Sequence, residues 1–273
     1  MLKSRVITAL IMAVLLLGAL FALPSAGWIA LMTLLALQAS VEWARLAKLG
    51  NRAATIYWAM TLLIVLSVVW FDAAYPVDHQ LLHFFIYALS GLLWLFVVPT
   101  LMMLSLKIKQ PIVMALIGWV VIIPTALAMM DLRAFNPWWL LSLMCLVWVA
   151  DIAAYFAGRK FGKHKLAPSI SPGKTWEGVV GALLGVKLYV LAVWFVLGKQ
   201  GGLSLVVLMV VAAWCWVGLA VMGDLFESLV KRQAGVKDSG ALLPGHGGLL
   251  DRIDALTSTL PLAALVMATQ GLA

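Results

Sequence analysis

Charge is what this sequence has least of. Of its 273 residues, 19 are basic and 11 acidic, so charged side chains make up 11% of the chain against 64% hydrophobic. A soluble domain carries about 25% charged and about 45–50% apolar residues. This scarcity excludes an ordinary water-soluble fold and a disordered chain. Cysteine is almost missing as well. Cys145 and Cys215 are the only two, each inside an apolar run and outside any Cys-x-x-Cys or Cys/His cluster. A disulfide framework or a zinc site is thereby excluded, and small core residues are the expected role. The chain also lacks a GxxxxGK[ST] loop, an internal repeat and a Ser-His-Asp arrangement. Short alternating segments, which a transmembrane barrel requires, give way to long apolar runs.

Those runs lie near residues 6–23, 26–41, 54–71, 81–104, 111–130, 138–157, 178–197, 203–223 and 255–272. A helix crosses a hydrocarbon layer with about 20 apolar residues, so the expected fold class is an all-α polytopic integral membrane protein with about nine transmembrane helices. The first run resembles a signal peptide because Lys3 and Arg5 precede it, but Pro24 spoils the small-x-small site. An uncleaved hairpin turning at Pro24-Ser25 is the reading. Placing the N-terminus in the cytoplasm puts 16 of the 19 basic residues in inside loops and only Arg133 and Lys199 in outside ones, with Lys187 mid-span. That asymmetry orients the N-terminus to the cytoplasm and the C-terminus outside. The net charge of +8 then reports loop topology and an anionic membrane surface, and calls for no nucleic acid.

Glu42, Asp72, Asp78, His79 and His83 in the first 130 residues sit near helix ends and read as a solvated rim. Residues 151–178 and 224–254 differ: they hold seven of the eleven acids and 16 of the 30 charges, all on the same predicted side. Charges at a membrane persist where they pair, bind an ion or line a wet cavity. Asp224, Glu227, Ser228 and Lys231 share one helix face, with Glu227–Lys231 readable alone as a surface pair. Asp251 and Asp254 repeat the three-residue spacing, and carboxylates so close repel unless a cation lies between them. With Asp224 they form a candidate site for magnesium carried with a phosphate. Lys231, Arg232 and Lys237 supply anion-neutralising charge. The glycine-rich stretch around Pro244, His246 and Gly248 lets backbone N–H groups approach an anion. In the first window Asp151, Ala154, Tyr155, Gly158 and Gly162 form a small-residue face for close helix approach. Ser171-Pro172 reads as an N-cap and first helical position, beside Lys174. Lys187 is open between a functional role and snorkelling.

The run Ser228-x-x-Lys231-Arg232-x4-Lys237-Asp238, followed by Pro244-x-His246-Gly247-Gly248-x-x-Asp251-Arg252-x-Asp254, resembles the signature of the phosphatidate cytidylyltransferases (CDP-diacylglycerol synthases). Asp151…Ala154-Tyr155…Gly158 and Ser171-Pro172-x-Lys174-Thr175-x-Glu177-Gly178 look like that family's second block. The likeness covers about residues 140–273. It implies transfer of a cytidylyl group from CTP to phosphatidic acid, a Mg2+ requirement and a homodimer in the bacterial cytoplasmic membrane with its site facing the cytoplasm. By motif position it implies that Asp224 and Asp251 hold the metal and that Lys231, Arg232, Lys237, Asp238, His246, Arg252 and Asp254 complete the catalytic set. Asp151, Tyr155, Ser171, Lys174, Thr175, Glu177 and Ser228 would bind the nucleotide and cation. Residues 1–130 would be a scaffold with dimer and lipid contacts, and residues 131–273 the catalytic region. Alternatives left open are transfer to another membrane lipid, a CTP-dependent lipid kinase, and an ion-coupled transporter using Asp151, Lys187 and Asp254 as relays.

Overall fold

The computed structural model describes residues 2–75, 79–198, 202–242 and 247–270. The chain runs back and forth through α1 (Leu2–Ala22), α2 (Ser25–Leu46), α3 (Asn51–Ala74), α4 (His79–Leu92), α5 (Val98–Met103), α6 (Pro111–Phe135), α7 (Pro137–Phe161), α8 (Trp176–Val196), α9 (Gly202–Ala234) and α10 (Leu250–Thr269). A π turn at Leu93–Val97 joins α4 to α5 into one helical span, His79–Met103. Pro99 explains it: proline lacks an N–H and crowds the carbonyl four residues back, which an α-helix cannot absorb unchanged. Among the described residues seven helices are long and apolar enough to cross a membrane, Ser25–Leu46 to Gly202–Ala234, and Leu10–Ala22 is a shorter apolar helix. α10 adds a long helix that opens on Asp251 and Asp254. The all-α polytopic expectation therefore stands, and the helices coincide with the nine apolar runs.

Turns follow from chain chemistry. Pro111 and Pro137 open α6 and α7, where a missing N–H costs nothing. Asn136 accepts from the Trp138 N–H at 2.8 Å as N-cap. At the other ends of α2 and α5 the chain closes in paired C-terminal bonds, Leu49 N to Ala44 O and Lys48 N to Arg45 O, then Leu106 N to Leu101 O and Ser105 N to Met102 O. The left-handed position, glycine's usual place, is held by Lys48 (φ 56°) and Ser105 (φ 50°). Each costs about 1 kcal/mol relative to glycine.

Indole and phenol groups bind the bundle from within. Trp28 and Trp43 donate to the carbonyls of Met129 (3.0 Å) and Met114 (2.8 Å), and Tyr57 to Ala115 O (3.1 Å). Inside a bilayer such partners are obligatory, because water cannot replace them. Arg133 donates to the carbonyls of Leu20 and Leu23 and lies over the Trp28 ring, locking the α1–α2 hairpin. A second apolar cluster joins α7, α8 and α9 around Ala150, Ala182, Val186 and Val217. There α7 and α8 come close because of small residues: a Cβ on Gly185 would lie 2.6 Å from Ala153 Cβ, and Gly158 admits Thr175.

Three sequence expectations need correction. Ser171-Pro172 does not cap a helix. It opens β2 (Ser171–Thr175), antiparallel to β1 (Lys165–Ala167), and α8 begins at Trp176 with Thr175 Oγ accepting from Gly178 N at 3.2 Å. The rim reading of the first half fails at Glu42 and His83, which are 0% and 3% exposed. His83 bridges Asp131 (2.7 Å) and Asp72 (3.0 Å) at the bundle end opposite the carboxylate-rich one, and Tyr87 donates to Asp131 at 2.6 Å. Asp78 lies outside the described residues. Cys145 is half-buried and Cys215 exposed, both free, so neither is a buried core residue. Lys187 is exposed on α8; the lysines that pair with carboxylates among the described residues are Lys174 and Lys231.

Candidate active site

α9 runs on for eleven residues past its apolar stretch, from Asp224 to Ala234, and this extension carries one polar face. Asp224 and Ser228 face each other at 3.4 Å, and Lys231 lies one turn beyond. Lys231 is nearly buried and donates to Glu227 Oε2 (2.7 Å) and Asp251 Oδ1 (2.6 Å). Glu227–Lys231 is thus no surface pair. Glu227 is 4% exposed, and a buried ammonium between two carboxylates is held far more firmly than a solvated one. The β-hairpin brings Lys174 against Asp224 at 2.5 Å. Asp151, from α7, lies within electrostatic range of Asp224 and Lys174. Asp254, from α10, is within range of Asp224, Glu227 and Asp151. α9 and α10 approach closely at Gly223, where a Cβ would meet Asp254 O at 2.6 Å.

A second layer of hydrogen bonds fixes the loop before α10. Asp251 Oδ2 accepts from Ser239 N (2.9 Å), Ser239 Oγ (3.0 Å) and Gly248 N (2.8 Å). Glu42, from α2, accepts from Ser239 Oγ (2.8 Å), Leu249 N (2.9 Å), Leu250 N (3.0 Å) and Gln38 (3.0 Å). Glu42 therefore caps the N-terminus of α10, where a negative charge is favoured. The glycines serve this arrangement. Gly247 has φ +83°, and a Cβ on Gly248 would collide with Ser239 Oγ and Glu42. The anions that these backbone N–H groups approach are the chain's own carboxylates.

Other expected residues take different places. Thr175 is the α8 cap. Glu177 pairs with His164 at 2.7 Å, and Tyr155 accepts from Arg159 at 3.1 Å. Ser171 is half-buried at the start of β2. Arg232 donates to Val236 O at 3.3 Å, and Lys237, Asp238 and Arg252 are exposed near the site loop. His246 and Pro244 lie outside the described residues.

Five carboxylates, Asp151, Asp224, Glu227, Asp251 and Asp254, thus share one end of the bundle with Lys174 and Lys231. Glu227 Oε1 is buried without a hydrogen-bond partner. An all-oxygen set with more negative than positive charge suits a hard divalent cation. Among the described residues no three His, Cys, Asp or Glu side chains make a ready cage. Residues 3–270 match the pattern of the Cytidylyltransferase family. The chain belongs to that family. It is 35% identical over 285 residues to the phosphatidate cytidylyltransferase of Haemophilus influenzae, covering 96% of both chains. It is 36% identical over 276 residues to that of Pseudomonas aeruginosa, covering 99% of this chain and 98% of the relative. A Brucella suis phosphatidate cytidylyltransferase is 43% identical over 144 residues, 52% of each chain.

Within this family member, two site groups escape sequence reasoning. Glu42 belongs to the first half, where nothing marks a site except a Gln38/Glu42 pair in an apolar helix. Ser239 carries no local signal, since its importance comes from bonding Glu42 and Asp251 at once.

Proposed function

We propose that this protein transfers the cytidylyl group of CTP to phosphatidic acid, giving CDP-diacylglycerol and pyrophosphate. The observation that carries this reading is the lysine–carboxylate cluster at one end of a membrane bundle: Lys174 on Asp224, and Lys231 between Glu227 and Asp251. One substrate is confined to the bilayer and the other dissolved in water, and a charged site at the end of apolar helices meets both. The full-length relatives named phosphatidate cytidylyltransferase support the same substrates.

The nucleophile needs little help. A phosphomonoester has a second pKa of about 6, so the phosphatidate oxygen is largely ionised at neutral pH and no strong base is required. It attacks the α-phosphorus of CTP in line; the new P–O bond forms as the α–β bridging bond breaks, and pyrophosphate leaves with the electron pair. What the protein supplies is positioning and charge neutralisation. Lys231, Arg232 and Lys237 clamp phosphates, and Lys174 holds Asp224 in place. A magnesium ion would be held by Asp224 and Asp251, and would supply neutralisation of the triphosphate charge. Glu227 holds Lys231 in place beside Asp251, and Asp254 lies within electrostatic range of Asp224.

The 16 basic residues that fall in the inside loops of the sequence topology support a site facing the cytoplasm of a bacterial cytoplasmic membrane. Residues 131–273 carry most of this chemistry and residues 1–130 the frame, to which Glu42 adds an anchor. The homodimer implied by the family resemblance completes the proposal. The test is labelled CTP incorporation into lipid by purified protein, with and without magnesium and phosphatidic acid. Asp251→Asn is expected to lower turnover at least about a hundredfold with helix content unchanged. Near-normal activity at saturating magnesium would remove Asp251 from the mechanism, and no label in lipid would refute the function.

A further inference from the structure

The side of α9 next to the carboxylate face borders a groove of about 980 Å³, separate from the acids. Leu225, Leu229 and Arg232 line it at helical spacing, and the hairpin tip, residues 166–170, closes one wall. This is the hairpin whose β2 strand holds Lys174 on Asp224. The floor includes Met102, Met103, Met114 and Leu229, while the cations are Lys48, Lys107, Lys109 and Arg232. Among the described residues no acidic side chain lines it. The segment carrying Lys107 is held in place: Gln233 accepts from Ile108 N at 3.2 Å and donates to Leu106 O at 3.4 Å.

Backbone strain marks the same groove. Among the described residues the non-glycine positions with positive φ are Lys48 and Ser105, and both line it. Glycine would fit each turn better, yet each keeps a side chain facing this space. Such retained strain clusters where a side chain has a task. An apolar floor under cations without facing acids matches an amphiphile with an anionic head and acyl chains, and a dissolved anion would have no use for the methionines.

We propose that this groove is a loading site for phosphatidate, its phosphate held by Lys48, Lys107 and Lys109 and its chains laid on the methionine-rich floor, one hairpin from the reacting groups. The proposal rests on the function given above. The lipid reaches the catalytic acids by passing the hairpin tip beside Arg232, the neighbour of Lys231.

The test uses full-length protein in mixed micelles and the triple variant Lys48→Gly, Lys107→Gln, Lys109→Gln. Glycine suits the turn at position 48 and the other two lysines are exposed, so the fold is retained, checked by circular dichroism. The KM for phosphatidate, as surface concentration, is expected to rise about tenfold or more, while kcat and the KM for CTP stay within about twofold. An unchanged phosphatidate KM, or a CTP KM rising in parallel, overturns the proposal. Retention of labelled phosphatidate without CTP is the second readout. Wild type is expected to retain it over phosphatidylcholine and the variant to lose that preference; displacement by millimolar inorganic phosphate would assign the groove to a free anion and overturn the lipid assignment. Wild type that retains phosphatidate but makes no CDP-diacylglycerol faults the functional reading and leaves the groove standing. Equal phosphatidate KM and equal phosphatidate retention in the two proteins, with both making CDP-diacylglycerol, faults the groove alone.

Discussion

Sealed from water, a carboxylate persists only where donors replace its hydration, and Glu42 has four of them. Its removal would leave two backbone N–H groups at the start of α10 without their acceptor and the Ser239 hydroxyl with Asp251 alone. Glu42→Gln places an amide N–H against one set of donors. It is expected to cost about 3 kcal/mol of stability and to loosen Asp251, lowering turnover in the protein that still folds. Thermal unfolding in detergent, with activity measured per folded molecule, checks both effects; an unchanged melting temperature would show that Glu42 is not the anchor described. At this scale the sequence is legible where residues share a helix face. Asp224, Ser228 and Lys231 lie on one face at the expected spacing, and Lys174 reaches them from the other charged window. It is illegible where the partner is remote: Leu249 bonds a carboxylate 207 residues earlier, and no local pattern encodes that distance.

Helix packing decides whether those side chains meet. α7 carries Asp151 and α8 follows the hairpin that carries Lys174, so the spacing of this pair sets the width of the site. Gly181 and Gly185 keep it narrow against Ala153 and Ala157. Gly185→Leu is expected to push the helices apart, break the Lys174–Asp224 ion pair and reduce activity at least about tenfold, with helix content unchanged by circular dichroism. Full activity would mean that the α7–α8 interface does not position the site. The small-residue face read from sequence meets α8 through Ala154 and Gly158, while Ala153 and Ala157, which face Gly181 and Gly185, lie outside that reading and Tyr155 is exposed. The hairpin is not readable from sequence: a Ser-Pro pair opens a helix or a strand equally well, and strands of three and five residues leave no alternation to detect. The start of α10 at Leu250, ahead of its apolar run, shows the same limit, because its first turn is held by Glu42 and not by its own hydrophobicity.

Across the whole molecule, polar groups gather at two opposite ends. One holds the carboxylates, lysines and groove; the other holds the His83 bridge between Asp72 and Asp131, a structural tie among α3, α4 and α6. Hydropathy locates the apolar helices, and the proposal that the first end faces the cytoplasm rests on charge bias. With Cys145 and Cys215 replaced by serine, a cysteine at Ser169 is expected to react with an impermeant maleimide only after the cytoplasmic membrane is breached, and one at Ala134 before it. The reverse order would invert the topology.

The fate of the phosphorus atoms in CTP tests the central claim most directly. With purified protein, magnesium and phosphatidic acid, label at the α-phosphorus is expected to enter lipid while label at the γ-phosphorus leaves as pyrophosphate, and Asp224→Asn is expected to abolish both. Label passing from the γ-position into lipid would make the protein a kinase and contradict the account.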